Sequence, residues 1–135
     1  MKFLLLCSII LSGLWSEASS YMSVSEGQSA VLDCPLRTDN SSRRVVSWYR
    51  QNHGEGPQMV LSYPTRNTSR VSYGHGFNSS RFTVQTKANE TTRHQLLITP
   101  AKERDTAVYF CSLSMPTESN RTKIQKKKKK MKNES

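Results

Sequence analysis

The stretch Asp105-Thr106-Ala107-Val108-Tyr109-Phe110-Cys111 decides how the rest of the chain is interpreted. Ala107, Tyr109 and Cys111 occupy alternate positions in it, so they lie on one face of a predicted strand and the residues between them lie on the other. A tyrosine two residues before a cysteine is typical of a corner where the phenol hydroxyl bonds the backbone and the ring is buried. The stretch therefore predicts a core strand whose cysteine faces the interior.

Cys34 and Trp48 lie upstream, and the tryptophan follows that cysteine by fourteen residues. A Cys–Trp–Cys order, with an aspartate and a tyrosine before the second cysteine, resembles an immunoglobulin variable-type domain from about Ser23 to Cys111. The segments Trp48-Tyr49-Arg50-Gln51 and 105–111 look most like T-cell receptor variable regions. This resemblance implies an all-β fold, an antiparallel two-sheet Greek-key sandwich of the immunoglobulin V type.

The same resemblance implies which side chains fill the space between the two sheets. Two cysteines, Cys34 and Cys111, remain after a predicted leader, and an even count in an exported chain favours one disulfide. Metal binding is the weaker interpretation, because the two cysteines are far apart and the histidines are scattered. The expected core residues are Leu32, Trp48, Phe82, Ile98 and Tyr109.

An ion pair between Arg81 and Asp105 is expected at the base of the sandwich, again from the resemblance. Guanidinium and carboxylate match in shape, so a partly sheltered bidentate pair can form there. The alternative is two solvated charges that contribute less than about 1 kcal/mol.

The 135 residues leave room for one domain behind a leader. Residues 1–20 are interpreted as a signal peptide, because Lys2 precedes a short apolar run and small residues precede the expected cleavage sites before Ser19 or Tyr21. That run is too short for a membrane anchor. Residues 21–112 form the predicted V-type domain, and we expect the protein in the secretory pathway and at the cell surface or outside the cell.

The net charge of +10 is concentrated at the C-terminus. Residues 21–112 hold eleven Lys/Arg and seven Asp/Glu, whereas residues 113–135 hold eight and two. The segment 113–135, with Lys126–Lys130, is predicted to be disordered because it has few apolar residues and repels itself. An alternative function, from another class, is polyanion binding through this lysine tail. Export and the absence of interleaved aromatic residues disfavour a nucleic-acid partner.

One departure from the family concerns the end of the sandwich. Variable domains resembling this one have a last strand that opens with Phe-Gly-x-Gly, but no glycine follows Cys111 here. The last strand is therefore predicted to be missing, which would leave an unpaired edge on the preceding strand. The chain is interpreted as a germline-like variable segment without a joining segment.

The outward face of the central sheet is predicted to pair with a second variable domain. Clustered exposed aromatic side chains are typical of an association surface, although ordinary surface apolarity remains the alternative. The residues proposed for this face are Tyr49, Gln51, Pro57 and Phe110.

Loops at one end of the sandwich are expected to contact the ligand, which the resemblance implies is a peptide bound to a histocompatibility molecule. Their arginines can donate hydrogen bonds to carboxylates or carbonyls, and solvated surface arginines are the alternative. The expected loop residues are Thr38, Asp39, Asn40, Ser41, Ser42, Arg43, Arg44, Tyr63, Pro64, Thr65, Arg66, Asn67, Ser112 and Leu113.

Six Asn-x-Ser/Thr sequons make glycan attachment expected in an exported chain. Asn78 and Asn89 are the favoured sites, because glycans at Asn40 or Asn67 would crowd the ligand loops. Asn120 is a further candidate.

Catalysis is not expected, because the sequence has no G-x-S-x-G, H-E-x-x-H or glycine-rich phosphate loop. No cofactor or metal is expected either. The nearest alternative to an antigen receptor is a non-rearranging innate immune-type receptor, or a secreted adhesive domain of the same fold.

Overall fold

The strands of this chain form two β-sheets that pack against each other through their apolar faces. The computed structural model describes residues 2–9 and 20–116, with side chains described from residue 22. The six-stranded sheet has the order β2-β1-β9-β4-β5-β6 and the three-stranded sheet the order β3-β8-β7. The strands are β1 (Lys2–Ile9), β2 (Ser20–Ser25), β3 (Ala30–Thr38), β4 (Val45–Gln51), β5 (Gln58–Pro64), β6 (Ser72–Tyr73), β7 (Phe82–Ala88), β8 (Thr92–Ile98) and β9 (Val108–Ser114).

The alternation of buried and exposed residues explains why these segments are strands. In β3, Ala30, Leu32 and Cys34 are buried, and in β8 the same face carries Leu96 and Ile98. The two strands pair antiparallel, so their apolar sides form one continuous surface toward the other sheet. The expected all-β sandwich of immunoglobulin V type is confirmed.

A disulfide between Cys34 and Cys111 joins the two sheets, with 5.6 Å between the Cα atoms. Trp48 has no exposed surface and is the cross-strand neighbour of Cys111. The other expected core residues, Leu32, Phe82, Ile98 and Tyr109, are buried in the same cluster.

The corner before β9 is a 3-10 turn, Glu103–Asp105, and not the start of the strand. Strand β9 begins at Val108 and continues to Ser114, two residues past the predicted domain end at 112. The predicted alternation is nevertheless present, because Ala107, Tyr109 and Cys111 are all buried.

Strand β1 occupies the edge of β9 that the sequence predicted to be unpaired, so that prediction is wrong for this structure. The pairing is parallel from Leu6 opposite Val108 to Ile9 opposite Cys111, and β1 also pairs antiparallel with β2. An apolar segment that bonds with both neighbours satisfies backbone groups that an open edge would expose. Strand β1 lies within the predicted signal peptide, of which residues 1 and 10–19 are outside the described part of the chain.

No strand follows β9 up to residue 116, where the described residues end. Most of the predicted tail, including Lys126–Lys130 and Asn120, lies outside them. Within the described ranges, no helix is long and apolar enough to cross a membrane.

Candidate functional site

The base of the sandwich is held by the predicted ion pair. Arg81 Nη1 lies 2.6 Å from Asp105 Oδ2 and Arg81 Nη2 lies 3.0 Å from Asp105 Oδ1, which is a bidentate geometry. Asp105 is fully buried and also accepts a bond from the backbone N–H of Lys102 at 2.8 Å. The hydrogen bonds that Arg81 donates to the Asp105 carboxylate raise the pKa of the guanidinium. This pair fixes the corner from which β9 departs.

Tyr109 makes the expected corner contact. Its hydroxyl donates to the backbone carbonyl of Asp105 at 2.7 Å, while its ring has no exposed surface. Burial raises the pKa of the Tyr109 phenol, so the hydroxyl stays protonated and can donate. The turn and the first residues of β9 are therefore tied together.

The outward face of the central sheet carries an apolar group. Tyr49 and Phe110 are directly opposite each other across β4 and β9, and both are half-buried. Met59 lies opposite Tyr49 on β5 and is 37% exposed. Val108, opposite Gln51, extends the group along β9. We call Tyr49, Phe110, Met59 and Val108 the apolar face.

The other predicted members of the pairing surface lie beside the apolar face. Gln51 is half-buried and its Nε2 donates to the carbonyl of Glu55 at 2.9 Å. That bond is made within the β4–β5 hairpin, so the Gln51 side chain is held in place by its own chain. Pro57 is exposed in the same hairpin.

Two loops at the opposite end of these strands are bonded to each other. Thr65 Oγ1 donates to the carbonyl of Ser42 at 3.0 Å, and the N–H of Arg44 donates to Thr65 Oγ1 at 3.1 Å. Arg66 Nη2 donates to the carbonyl of Ser41 at 2.8 Å. Residues 39–44 and 65–70 therefore form one surface, which we call the loop surface.

The loop surface is basic, and a hydrogen bond connects it to the turn between β7 and β8. Arg43, Arg44, Arg66 and Arg70 are all exposed. Asn40 connects the surface to the β7–β8 turn, because its Nδ2 donates to the carbonyl of Asn89 at 3.0 Å. Such an arrangement can present several N–H donors to an acidic or carbonyl-rich ligand.

Some residues predicted to touch ligand are not in loops. Thr38 is the last residue of β3 and is 3% exposed, and Tyr63 lies in β5 and is 1% exposed. Both point into the core, so the predicted loops begin too early at these two positions. Pro64 ends β5, while Ser112 and Leu113 lie within β9 and are half-buried.

A buried polar network beneath the loop surface was missed by the sequence interpretation. His94 has no exposed surface and links the two sheets: its Nε2 lies 2.8 Å from Thr38 Oγ1 and its Nδ1 lies 2.8 Å from Tyr63 Oη. Burial lowers the pKa of His94, which favours the neutral ring. The apolar alternation of β8 placed His94 on the inner face, but its partners come from strands far away in sequence.

The sequons differ in their local bonding. The side-chain oxygen of Asn67 accepts a hydrogen bond from the hydroxyl of Ser69, two residues later in the chain, and that of Asn78 accepts one from Ser80 in the same way. The Asn40 amide is instead bonded on both sides, to Asn89 and to Thr92. Glycosylation at these asparagines remains a prediction.

The described residues contain no group of three or more His, Cys, Asp or Glu side chains that could hold a metal ion. The geometry assembles instead an apolar sheet face and a basic loop surface on one disulfide-linked sandwich, which is an arrangement suited to binding.

Comparison with known proteins agrees with this architecture. The family described as Immunoglobulin V-set domain matches residues 17–129. Human T cell receptor alpha variable 13-2 is 32% identical over 92 residues, which is 67% of this chain and 72% of that relative. The mouse T-cell receptor beta chain V region PHDS203 is 28% identical over 102 residues, 75% of this chain and 77% of that relative.

Among solved structures, a marsupial T cell receptor has the same fold. It superposes with a TM-score of 0.55 and 22% identity, covering 82% of this chain and 44% of the other.

Proposed function

Because this chain belongs to the immunoglobulin V-set domain family, we propose that it is the antigen-recognition domain of a T-cell receptor-like chain. V-set domains are recognition domains and not enzymes. The proposal is that this domain pairs with a second variable domain and binds a peptide presented by a histocompatibility molecule, or another cell-surface protein.

The observation that carries the pairing proposal is the apolar face. Tyr49, Phe110 and Met59 come together on three adjacent strands, and the outward side of a sheet in an isolated domain has no need of such side chains. Aromatic residues and methionine are enriched in protein interfaces, where their burial supplies most of the association free energy. A second sheet laid against this face would cover them.

The loop surface supports the recognition half of the proposal. Arg43, Arg44, Arg66 and Arg70 are exposed on loops that are bonded to one another, so their positions are set before a ligand arrives. Preorganised loops lose less conformational entropy on binding. Exposed guanidinium groups suit the carboxylates and carbonyls of a protein ligand.

Export is part of the proposal. A signal peptide at residues 1–20 would direct the chain to the secretory pathway, where the Cys34–Cys111 disulfide forms readily. Removal of that peptide would take β1 with it and open the edges of β2 and β9.

Co-expression tests the pairing. The full chain is secreted together with a T-cell receptor alpha variable domain, and separately with a beta variable domain, and the molar mass is measured by light scattering after gel filtration. We expect a heterodimer with one of the two. The double substitution Tyr49→Glu and Phe110→Glu should weaken it by more than about tenfold, because each charge would be buried in the interface.

The matched control is Thr83→Glu, an exposed position on the outer face of the other sheet. It should leave the heterodimer unchanged. A folded chain that stays monomeric with both partners, or a control variant that weakens association equally, would rule out pairing through the apolar face.

A further inference from the structure

The outer face of the three-stranded sheet, on the far side of the molecule from the apolar face, arranges its polar side chains in rows. The strand register places three residues side by side in each row. The first row is Asp33, Gln95 and Gln85, and the second row is Arg37, Arg93 and Lys87.

The first row is satisfied by its own hydrogen bonds. Gln85 Nε2 donates to Gln95 Oε1 at 3.0 Å, and Gln95 Nε2 donates to Asp33 Oδ1 at 2.7 Å. This chain of bonds crosses the sheet and holds the strands in register. The hydrogen bonds within the fold therefore account for the first row without a ligand.

The second row, which we call the cation row, is not explained by folding. Arg37, Arg93 and Lys87 are all exposed, and Arg93 lies between the other two across the strands. Like charges placed directly opposite in a sheet destabilise it. Arg93 lies 4.0 Å from Asp33, and within the described residues neither Arg37 nor Lys87 has an acidic side chain within 4.0 Å.

A register shift between β3 and β8 pairs Arg37 with the cation row. Three residues separate Asp33 from Arg37, whereas one residue separates their partners Gln95 and Arg93. Asp33 and Arg37 are four positions apart, so both lie on the outer face. The register shift changes the partner of Arg37 and places it directly opposite Arg93.

We propose that the cation row binds a linear sulfated polysaccharide outside the cell. Neighbouring strands are about 4.8 Å apart, so the three cations extend over about 10 Å along one line. A ligand that neutralises all three needs repeated anions along a chain, which a single carboxylate or phosphate does not have. Sulfate groups along a sugar polymer provide them.

The surroundings of the row favour a glycan over other polyanions. The adjacent row holds only amide and carboxylate side chains, so there is no aromatic anchor of the kind that dominates protein interfaces. Stacking platforms for nucleic-acid bases are missing from both rows for the same reason. The contact would be electrostatic and therefore sensitive to salt.

The charge distribution adds to the attraction. Toward the base of the sandwich, four cations balance four acids: Arg50, Arg81, Lys102 and Arg104 against Glu26, Glu55, Glu103 and Asp105. The excess of +4 in residues 21–112 therefore lies toward the loop end, where the cation row is. A polyanion would be steered to that end of the molecule.

This site goes beyond receptor pairing and rests on the proposed function only for its extracellular location. The cation row and the apolar face lie on different sheets. The polysaccharide proposal can therefore be wrong while the pairing experiment succeeds, and the pairing proposal can be wrong while the polysaccharide binds.

Heparin chromatography tests the proposal. The protein is the full-length chain with Lys126–Lys130 changed to glutamine, which removes five of the eight tail cations without shortening the chain. Arg93→Gln should elute at lower NaCl concentration and reduce the slope of log affinity against log salt by about one. Arg104→Gln, an exposed cation at the base, removes the same charge and should change neither.

The substitution Asp33→Asn should strengthen binding to heparin. It removes the carboxylate that lies 4.0 Å from Arg93 while keeping the side chain's size, so elution should move to higher NaCl concentration. Equal effects of Arg93→Gln and Arg104→Gln would overturn the proposal, because net charge alone would then explain retention. Displacement by poly-glutamate as effectively as by heparin, at equal charge, would point to an acidic protein and also overturn it.

Discussion

Asp105 is a charged residue with no exposed surface, and three donors meet its carboxylate: both terminal nitrogens of Arg81 and the N–H of Lys102. A buried charge is tolerated when its oxygens are paired and bonded in this way. The resemblance to variable domains was enough to predict the Arg81–Asp105 pair. The Lys102 contact could not be predicted, because it depends on how the 3-10 turn closes.

The contacts of His94, in contrast to the Arg81–Asp105 pair, could not be predicted from the sequence. Its inward position follows from the alternation of β8, but Thr38 and Tyr63 are 56 and 31 residues away in sequence. Only the packing of the two sheets brings these three side chains together. No local pattern in the sequence contains that information.

The buried ring of His94 makes stability depend on pH. Burial lowers the pKa of His94 in the folded state, while in the unfolded state it is about 6.5. Below that value the unfolded chain takes up a proton that the folded chain does not, so stability is full above about pH 6.5 and falls by up to about 1.4 kcal/mol per pH unit below it.

Urea unfolding from pH 7.5 to 5.0 measures this effect against His94→Gln, which cannot titrate. The stability advantage of the wild type should shrink as the pH falls, since all other titrating groups are common to both proteins. If the variant does not fold, an NMR titration of His94 in the wild type gives the same answer. An ordinary pKa for His94, or a constant advantage across the range, would contradict the buried network.

At the scale of elements, strand identity was predicted well and strand ends poorly. The ligand surface was expected to include residues 38–44 and 63–69, so Thr38 and Tyr63 were counted among its loop residues. The buried network extends β3 and β5 to these positions, since a buried hydroxyl needs a partner and finds one in His94. Tertiary contacts thus moved boundaries that local composition had set.

The short strand β6 depends on one glycine. A Cβ at Gly74 would lie 1.8 Å from the carbonyl oxygen of Met59, and the N–H of Gly74 donates to the carbonyl of Val60 at 2.9 Å. Gly74→Ala should push β6 away from β5 and destabilise the fold by about 1–3 kcal/mol. Since Met59 belongs to the apolar face, the same change should weaken pairing.

Gly56→Ala is the matched control, because a Cβ there meets no atom within 4 Å. Midpoints of urea unfolding compare the two variants with the wild type. Equal midpoints for Gly74→Ala and Gly56→Ala would show that β5 and β6 do not approach each other in this way.

The edge of β9 could not be assigned from sequence. The absence of a Phe-Gly-x-Gly segment predicted an open edge, but the structure fills it with β1 in a parallel register. Any apolar segment with free backbone groups can satisfy such an edge, so sequence alone does not say which segment does.

The apolar face, the cation row and the loop surface lie on different parts of the molecule. The six-stranded sheet carries the apolar face, the three-stranded sheet carries the cation row, and the linked loops lie at one end. The disulfide and Trp48 between the sheets hold these surfaces in fixed relation. The two cysteines, the tryptophan and the corner tyrosine were sufficient to predict this frame, because their positions are set by the sandwich itself.

The bond between Cys34 and Cys111 is the most direct test of the whole account. Protein exported by secretory cells is digested without reduction and its peptides are weighed by mass spectrometry. We expect a linked pair of peptides containing Cys34 and Cys111, and an N-terminal peptide that begins at Ser19 or Tyr21. A compact exported protein with both thiols free would contradict the two-sheet frame and the recognition function proposed on it.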